Sequence, residues 1–138
     1  MVTTQISYAK IFLQNIKTQT WTYTNATGSD VTLPIGTAMG IVYATSLCVE
    51  CLSTATDGSQ KPYAVLMAST TIAAHTSQTL TLVSSGDVDG SLIVFNNGTD
   101  SLTTPVSVGG DVEGTMTTIL TKGGINPKTA VEGTFGDN

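Results

Sequence analysis

The two cysteines of the chain stand three residues apart, as Cys48-Val49-Glu50-Cys51, and this spacing is the first candidate for chemistry. Redox-active pairs of this spacing work at a helix N-terminus, where backbone amides lower the thiol pKa. Here the pair lies in a β-type run, residues 47–52, where residues three apart face opposite ways at about 10 Å, too far for a disulfide. A zinc site would need further cysteine or histidine ligands, and the sequence offers only His75. We therefore expect two reduced thiols, one buried and one on the surface.

The remaining motifs each lack part of what their chemistry requires. His75 lies in a polar segment with no activated serine or cysteine indicated beside it, which favours an exposed loop. Residues 86–90, Gly-Asp-Val-Asp-Gly, lack most ligands of a calcium loop, which favours a hairpin turn. Residues 109–114 are glycine-rich but lack the lysine and hydroxyl residue that end a phosphate-binding loop. The sequence therefore predicts no enzyme, no metal and no cofactor.

The charge composition points away from nucleic acids. Only 11% of the 138 residues are charged, the net charge is −5, and there is no arginine. Five scattered lysines cannot follow a phosphate backbone, so no nucleic-acid partner is expected. A surface of hydroxyl groups suits exposed strands, and it also suits contact with another protein, because burying a hydroxyl costs less than burying a charge.

Targeting signals are also missing from the sequence. The apolar runs are only a few residues long, far shorter than a membrane span, so no membrane partner is expected. The first residues lack the charged start and the long apolar core of a signal peptide. We therefore expect synthesis in the cytoplasm.

The elements that must position these residues are mostly short β-type runs separated by turn residues, within a single domain. The stretch 57–95 is predicted to form a three-stranded antiparallel sheet, with a turn at 86–90. Its strands are expected at residues 63–68, 79–83 and 92–95. Further strands are expected at residues 21–24, Val31–Leu33, 39–42 and 47–52.

One helix is predicted late in the chain. Met116, Ile119 and Leu120 have the i, i+3, i+4 spacing of an apolar helix face, and Lys122 favours the last turn. Gly123 and Gly124 provide a left-handed C-terminal cap. Residues 126–138 are polar and glycine-dotted, and we expect a tail there.

The beginning of the chain has the character of an extended arm. Residues 1–20 are expected to form this N-terminal arm, ahead of a β domain at 21–125. Trp21 and Tyr23 alternate onto one face, which either packs in the core or forms an interface patch, since exposed aromatic anchors are typical of binding hot spots. The residues expected at an interface are Tyr8, Ile11, Phe12, Leu13, Ile16, Trp21 and Tyr23.

Four features occur in an order found in a known family. They are a glycine-punctuated strand at 36–42, a turn and strand at 57–66, a strand and turn at 80–88 followed by 92–94, and a short helix from Met116 to Ile125. Together they cover about half of the chain. In this order they resemble the head decoration proteins of tailed phages, the lambda decoration-protein family.

The resemblance implies a small, mainly β, sandwich- or barrel-like decoration domain with one short C-terminal helix and an extended N-terminal arm. It also implies a structural virion protein that forms homotrimers at three-fold and quasi-three-fold sites on the outer surface of an expanded capsid. The arm would lie on the major capsid protein and add backbone hydrogen bonds to an exposed strand edge. The trimer would then act as cement against the pressure of packaged DNA.

A second interpretation is a phage fibre or adhesin-type module that binds host carbohydrate. It predicts an exposed aromatic platform, for which Trp21 with Tyr23 is the candidate.

Overall fold

The computed structural model describes residues 12–95 and 97–128 of the chain. This part is mainly β, as predicted, with one α-helix, α1 (Met116–Lys122), and a 3-10 helix at Gly90–Leu92. Its strands are β1 (Phe12–Asn25), β2 (Val31–Leu33), β3 (Ala38–Val42), β4 (Leu47–Glu50), β5 (Ala64–Leu66), β6 (Thr70–Ile72), β7 (Thr76–Asp89), β8 (Pro105–Val108), β9 (Asp111–Thr115) and β10 (Ile125–Lys128). Within these ranges no helix has the length and apolar character needed to span a membrane.

Strand β7 is the centre of the main sheet. The strand order is β1-β7-β5-β3-β4, and β10 also pairs with β7. Strand β1 runs antiparallel along the whole of one edge of β7. The other edge is shared, because β5 pairs antiparallel near Val83 and β10 pairs parallel with residues 86–89. The 14-residue β7 therefore holds the first and the last strand of the described chain in one sheet.

The middle of this sheet is covered on both faces. In β5, Ala64 and Leu66 face one apolar cluster and Val65 faces a second, and none of the three is more than 1% exposed. The first cluster includes Leu33 and Ile72 of the β2–β6 ribbon, and the second includes residues of α1 and β10. A strand with no exposed face needs an unbroken apolar run, which explains why this segment does not alternate.

The two outermost strands of the sheet approach each other, which gives it a barrel-like curl. The hydroxyl of Tyr23 on β1 donates a hydrogen bond of 2.8 Å to Oε1 of Glu50 on β4. Burial, followed by this hydrogen bond, raises the pKa of Tyr23 well above its usual value. The closure is therefore made through a neutral, partly buried phenol.

Helix α1 forms where the sequence predicts it. Met116, Ile119 and Leu120 are buried, and the hydroxyl of Thr115 caps the start of the helix by accepting the Thr118 N–H at 3.3 Å. Gly124, just after the helix, has φ of +104°, the left-handed conformation expected of the glycine cap. The predicted apolar face is therefore the one that packs on the sheet.

Two predicted features of the stretch 57–95 are wrong. Residues 86–89 are not a turn but the end of β7. There β1 pairs with one edge of β7, β10 pairs with the other, and the side chain of Val88 is fully buried. Residues 92–95 are not a strand, since the 3-10 helix ends at Leu92 and only Val94 forms a bridge, to Thr37. Asp89 caps that helix by accepting hydrogen bonds from the amide and hydroxyl of Ser91. Local turn chemistry was outweighed by pairing with distant strands.

Two strands continue across the boundaries expected between arm, body and tail, and the division itself stays a prediction. Strand β1 continues through residue 20, where the arm was expected to end, and β10 occupies Ile125–Lys128, where a tail was expected to begin. Tyr8 and Ile11 of the expected arm, and residues 129–138 of the expected tail, lie outside the described residues.

Candidate functional site

The cysteine pair is a pair of core residues. Cys48 lies in the first apolar cluster, and Cys51 lies in a third cluster beside Met116 on the opposite face of the sheet. The prediction of opposite faces and free thiols is confirmed, but the prediction of a surface thiol is wrong, because α1 and the β8–β9 hairpin cover the second face. Burial raises the pKa of Cys48 to about 11 and that of Cys51 to about 12, so both thiols are protonated at neutral pH.

The other candidate residues have structural partners. His75 is exposed in a turn at φ of +57°, as predicted, and its backbone N–H donates to the carbonyl of Thr27. Asp87 lies on β7, where its carboxylate accepts hydrogen bonds from Gln14 of β1 at 3.0 Å and from Asn126 of β10 at 3.1 Å. Both bonds hold the pKa of Asp87 below its usual value, and the bond from Gln14 is the larger cause. No cluster of three potential metal ligands occurs in the described part of the chain.

The residues expected at an interface divide between the core and the surface of β1. Phe12 and Ile16 are partly buried against the second cluster, and Trp21 is partly buried against the first. Leu13 is half-buried, whereas Tyr23 is only 6% exposed and belongs to the core. Because Tyr23 is buried, Trp21 and Tyr23 do not form the exposed aromatic platform that a carbohydrate-binding module would need.

The outer edge of β1 is the first candidate contact surface. Within the described ranges, β1 pairs with β7 on one edge and with no strand on the other. The exposed side chains along its first part are Gln14, Asn15, Lys17, Thr18, Gln19 and Thr20. An unpaired strand edge presents a row of backbone donors and acceptors to which another chain can add a strand. The edge is therefore suited to protein contact through the backbone.

A bulge fixes the shape of this edge. The register of β1 against β7 shifts three times between Phe12 and Thr18, and Asn15 has φ of +57°. Opposite the bulge, Gly86 has φ of +131°, and a Cβ there would come within 2.7 Å of Ile16 Cδ1. Bulges of this kind increase local twist and re-aim side chains. The first part of β1 is thus held in a defined, irregular shape and is not a flat edge.

A second exposed surface contains aromatic residues that sequence reasoning did not select. Tyr63 packs edge-on against Trp21 with ring centroids 5.5 Å apart, and its hydroxyl donates to Gln19 Oε1 at 2.6 Å. Tyr43, in the loop after β3, is 64% exposed. The signal in the sequence was weak, because each tyrosine stands at the end of a β-type run, where core and surface positions look alike.

The chain matches the family described as bacteriophage lambda head decoration protein D over residues 8–105. The match begins at Tyr8 and extends to the first residue of β8, so it includes the open edge of β1 and most of the main sheet. A search of curated proteins returned no match. The resemblance inferred from the sequence is confirmed. Since the match spans well over half of the chain, this protein belongs to the bacteriophage lambda head decoration protein D family, whose members are structural proteins of the phage capsid.

Proposed function

We propose that this protein binds the outer surface of the expanded capsid as a homotrimer at three-fold and quasi-three-fold sites, and that it stabilises the shell against the pressure of packaged DNA. The family match over residues 8–105 carries the proposal. The partner is the major capsid protein, and the role is mechanical, with no chemical step. Its place is the outside of the virion, after synthesis in the host cytoplasm.

The open edge of β1 supports a specific mode of contact. Residues 1–11 lead directly into β1, and the outer edge of its first part has no strand partner within the described chain. We assign residues 1–11 together with this edge to the capsid-binding arm. A strand of the major capsid protein added to the edge would gain main-chain hydrogen bonds, and side chains such as Leu13 and Lys17 would provide specificity.

The low charge of the surface favours burial against the shell. Seven successive residues of β1, Lys17 to Tyr23, contain one charge and three threonines. Desolvating hydroxyl groups that regain hydrogen bonds is far less costly than desolvating unpaired charges. A contact of this composition can be buried without a matched set of opposite charges on the capsid.

Cementing follows from several such contacts acting together. Each arm adds modest binding free energy, but three arms on one trimer bind with a high effective concentration once the first has bound. The sheet, packed on both faces around β5, is a rigid body that transmits load between the subunits it touches. A trimer that spans several capsid subunits therefore resists their separation.

Co-sedimentation with expanded, undecorated capsids of the cognate phage tests the proposal. The intact chain is expected to pellet with the capsids, and a chain lacking residues 2–11 is expected to stay in the supernatant. Thr18→Lys with Thr20→Lys, which place charges beside the open edge, should weaken binding at least about tenfold. Thr71→Lys, an exposed threonine on β6, is the matched control and should bind normally.

The same preparation separates the two parts of the proposal. Capsids with bound protein should lose their DNA at a higher temperature than bare capsids. Binding without this protection would disprove the cementing role, and normal binding by the chain lacking residues 2–11 would disprove the arm. Sedimentation of the bound and free protein gives the number of copies in each complex, for which three is expected.

A further inference from the structure

A cleft of about 320 Å³ lies beside Tyr43, and we call it the Tyr43 cleft. Its walls come from β3, from the segments after β3 and before β5, from β9 and from α1, and include Ile41, Tyr43, Lys61, Tyr63, Glu113 and Lys122. Glu113 and Lys122 lie beyond residue 105, so part of the cleft is outside the family match. The cleft therefore combines residues inside the matched range with residues that follow it.

The aromatic walls of the cleft are exposed, and each packs against a neighbouring part of the chain. The ring of Tyr43 lies against Gly58, where a Cβ would come within 2.7 Å of the ring. Tyr63, 38% exposed, is held by the Trp21 ring and by its hydrogen bond to Gln19. Exposed tyrosines offer large contact area with little loss of side-chain entropy on binding, which is typical of binding hot spots.

The charge of the cleft differs from that of the rest of the protein. The chain has a net charge of −5, yet two of the four lysines in the described part, Lys61 and Lys122, line this cleft. Lys61 forms an ion pair with Glu113 at 3.4 Å, and Lys122 has no ion-pair partner within the described residues. The surface thus favours an aromatic group flanked by acidic groups.

The sequence contains such a segment just beyond β10. Residues 132–137, Glu-Gly-Thr-Phe-Gly-Asp, place Phe135 between two acidic side chains and contain no lysine. Phe135 is one of only three phenylalanines in the chain. Its ring complements the two tyrosines, and the acidic side chains of Glu132 and Asp137 complement the positive charge that two lysines and one glutamate leave at the cleft.

The same chain is long enough to make this contact. Gly123 lines the cleft, and the five residues from there to Lys128 cannot span more than about 18 Å. The seven residues from Lys128 to Phe135 can span about 25 Å, so Phe135 can return to the cleft. A short tether also gives the segment an effective concentration in the millimolar range, which a second molecule would not reach in dilute solution.

We propose that residues 132–137 dock in the Tyr43 cleft of their own chain, with Phe135 against the tyrosine rings and the acidic residues at Lys61 and Lys122. This inference does not depend on the capsid-binding function. The occupant that it gives to the Tyr43 cleft is an acidic peptide segment with one aromatic ring.

The full chain provides its own probe, because Trp21 is the only tryptophan and its ring contacts Tyr63. Phe135→Ala should change the Trp21 emission and move the amide NMR signals of Tyr43, Tyr63 and Lys122. Thr134→Ala, the adjacent substitution, is the matched control and should leave them in place. A peptide of residues 129–138 added to the Phe135→Ala protein should restore the original signals. The same peptide should bind about tenfold more weakly to a Phe135→Ala protein that also carries Lys122→Ala or Tyr43→Ala.

Three results would overturn the proposal. One is a Phe135→Ala spectrum identical to that of Thr134→Ala. Another is a peptide that leaves the cleft signals unchanged. The third is a set of cleft signals that depends on protein concentration, which would assign the segment to the cleft of a second copy. Weaker peptide binding at higher salt is the expected result for a contact that includes Lys61 and Lys122.

Discussion

The middle of the main sheet and the first part of β1 belong to one sheet but are built in opposite ways. Around β5, residues 64–66 are buried on both faces, and β7 beside them contributes Leu82 and Val83, one to each face. Residues 12–20 of β1 pack on one face only, carry a bulge, and have an open outer edge. Stability is concentrated at the centre, so the edge can be shaped for contact at small cost to the fold.

The largest effect in this comparison is expected for Leu66→Ala in the middle of the sheet. The side chain is 1% exposed and its loss leaves a cavity, so the free energy of unfolding should fall by about 2–5 kcal/mol. Ile16→Ala on β1 is the matched control and should cost about 1 kcal/mol, because its side chain already meets water. Denaturant-induced unfolding measures both, and equal losses would show that the edge is as important to stability as the centre.

Gly86→Ala should destabilise the first part of β1 more than the middle of the sheet. Gly86 has φ of +131°, and a Cβ at this position would come within 2.7 Å of Ile16 Cδ1, so alanine strains β7 and pushes β1 outward. We expect a loss of about 1–3 kcal/mol. Amide hydrogen exchange should speed up in residues 12–18 far more than in residues 64–66. A uniform change across the sheet would show instead that β1 and the centre unfold as one unit.

Sequence reasoning succeeded where the signal was local. Helix α1 was identified from three apolar residues and a glycine cap, and short strands such as Val31–Leu33 from turn residues on either side. It failed where distant strands decided the outcome. Residues 86–90 have every local mark of a turn, yet pairing with β1 and β10 keeps 86–89 extended.

The candidate surfaces were harder to predict than the fold. The alternation of Trp21 and Tyr23 located the correct strand, but which side chain is buried depends on how β4 closes against β1. One of the two thiols was expected on the surface because the sequence gives no sign that α1 and the β8–β9 hairpin cover the face that holds Cys51. Long-range packing determines exposure, and one sequence does not encode it in a local pattern.

Tyr23→Phe tests the closure between the two outer strands. Removing the hydroxyl leaves a carboxylate oxygen of Glu50 without this donor, and we expect a loss of about 1 kcal/mol. Folding raises the pKa of Tyr23, so the protonated phenol contributes fully to the free energy of unfolding below its ordinary pKa near 10. This contribution is lost as the pH rises above that value. Folding also raises the pKa values of Cys48 and Cys51. The two thiols therefore lower the free energy of unfolding as the pH rises above about 9.

Unfolding measured between pH 7 and 11 separates these contributions. The Tyr23→Phe protein should lose less stability than the parent protein above pH 10, because the titrating phenol is absent. It should still lose stability from about pH 9, owing to the two thiols. Parallel curves for the two proteins over the whole range would mean that the phenol does not titrate with folding.

The smallest effect is expected at Asp87, where β1 and β10 are joined across β7. Its carboxylate accepts hydrogen bonds from Gln14 and Asn126, and these lower its pKa, with Gln14 the larger cause. The bonds therefore favour the folded state above the ordinary pKa of 3.8 and are lost as the pH falls below it. Gln14→Ala should raise the pKa of Asp87 in an NMR titration, and Asn126→Ala should raise it less. The residue is only partly buried and its carboxylate can reach water, which replaces much of what is lost, so the melting temperature at pH 7 should hardly change. If neither variant moved the pKa, the side chains of the open edge would not be anchored to β7, and the bulge at Asn15 and Gly86 would alone determine the shape that β1 presents to a partner.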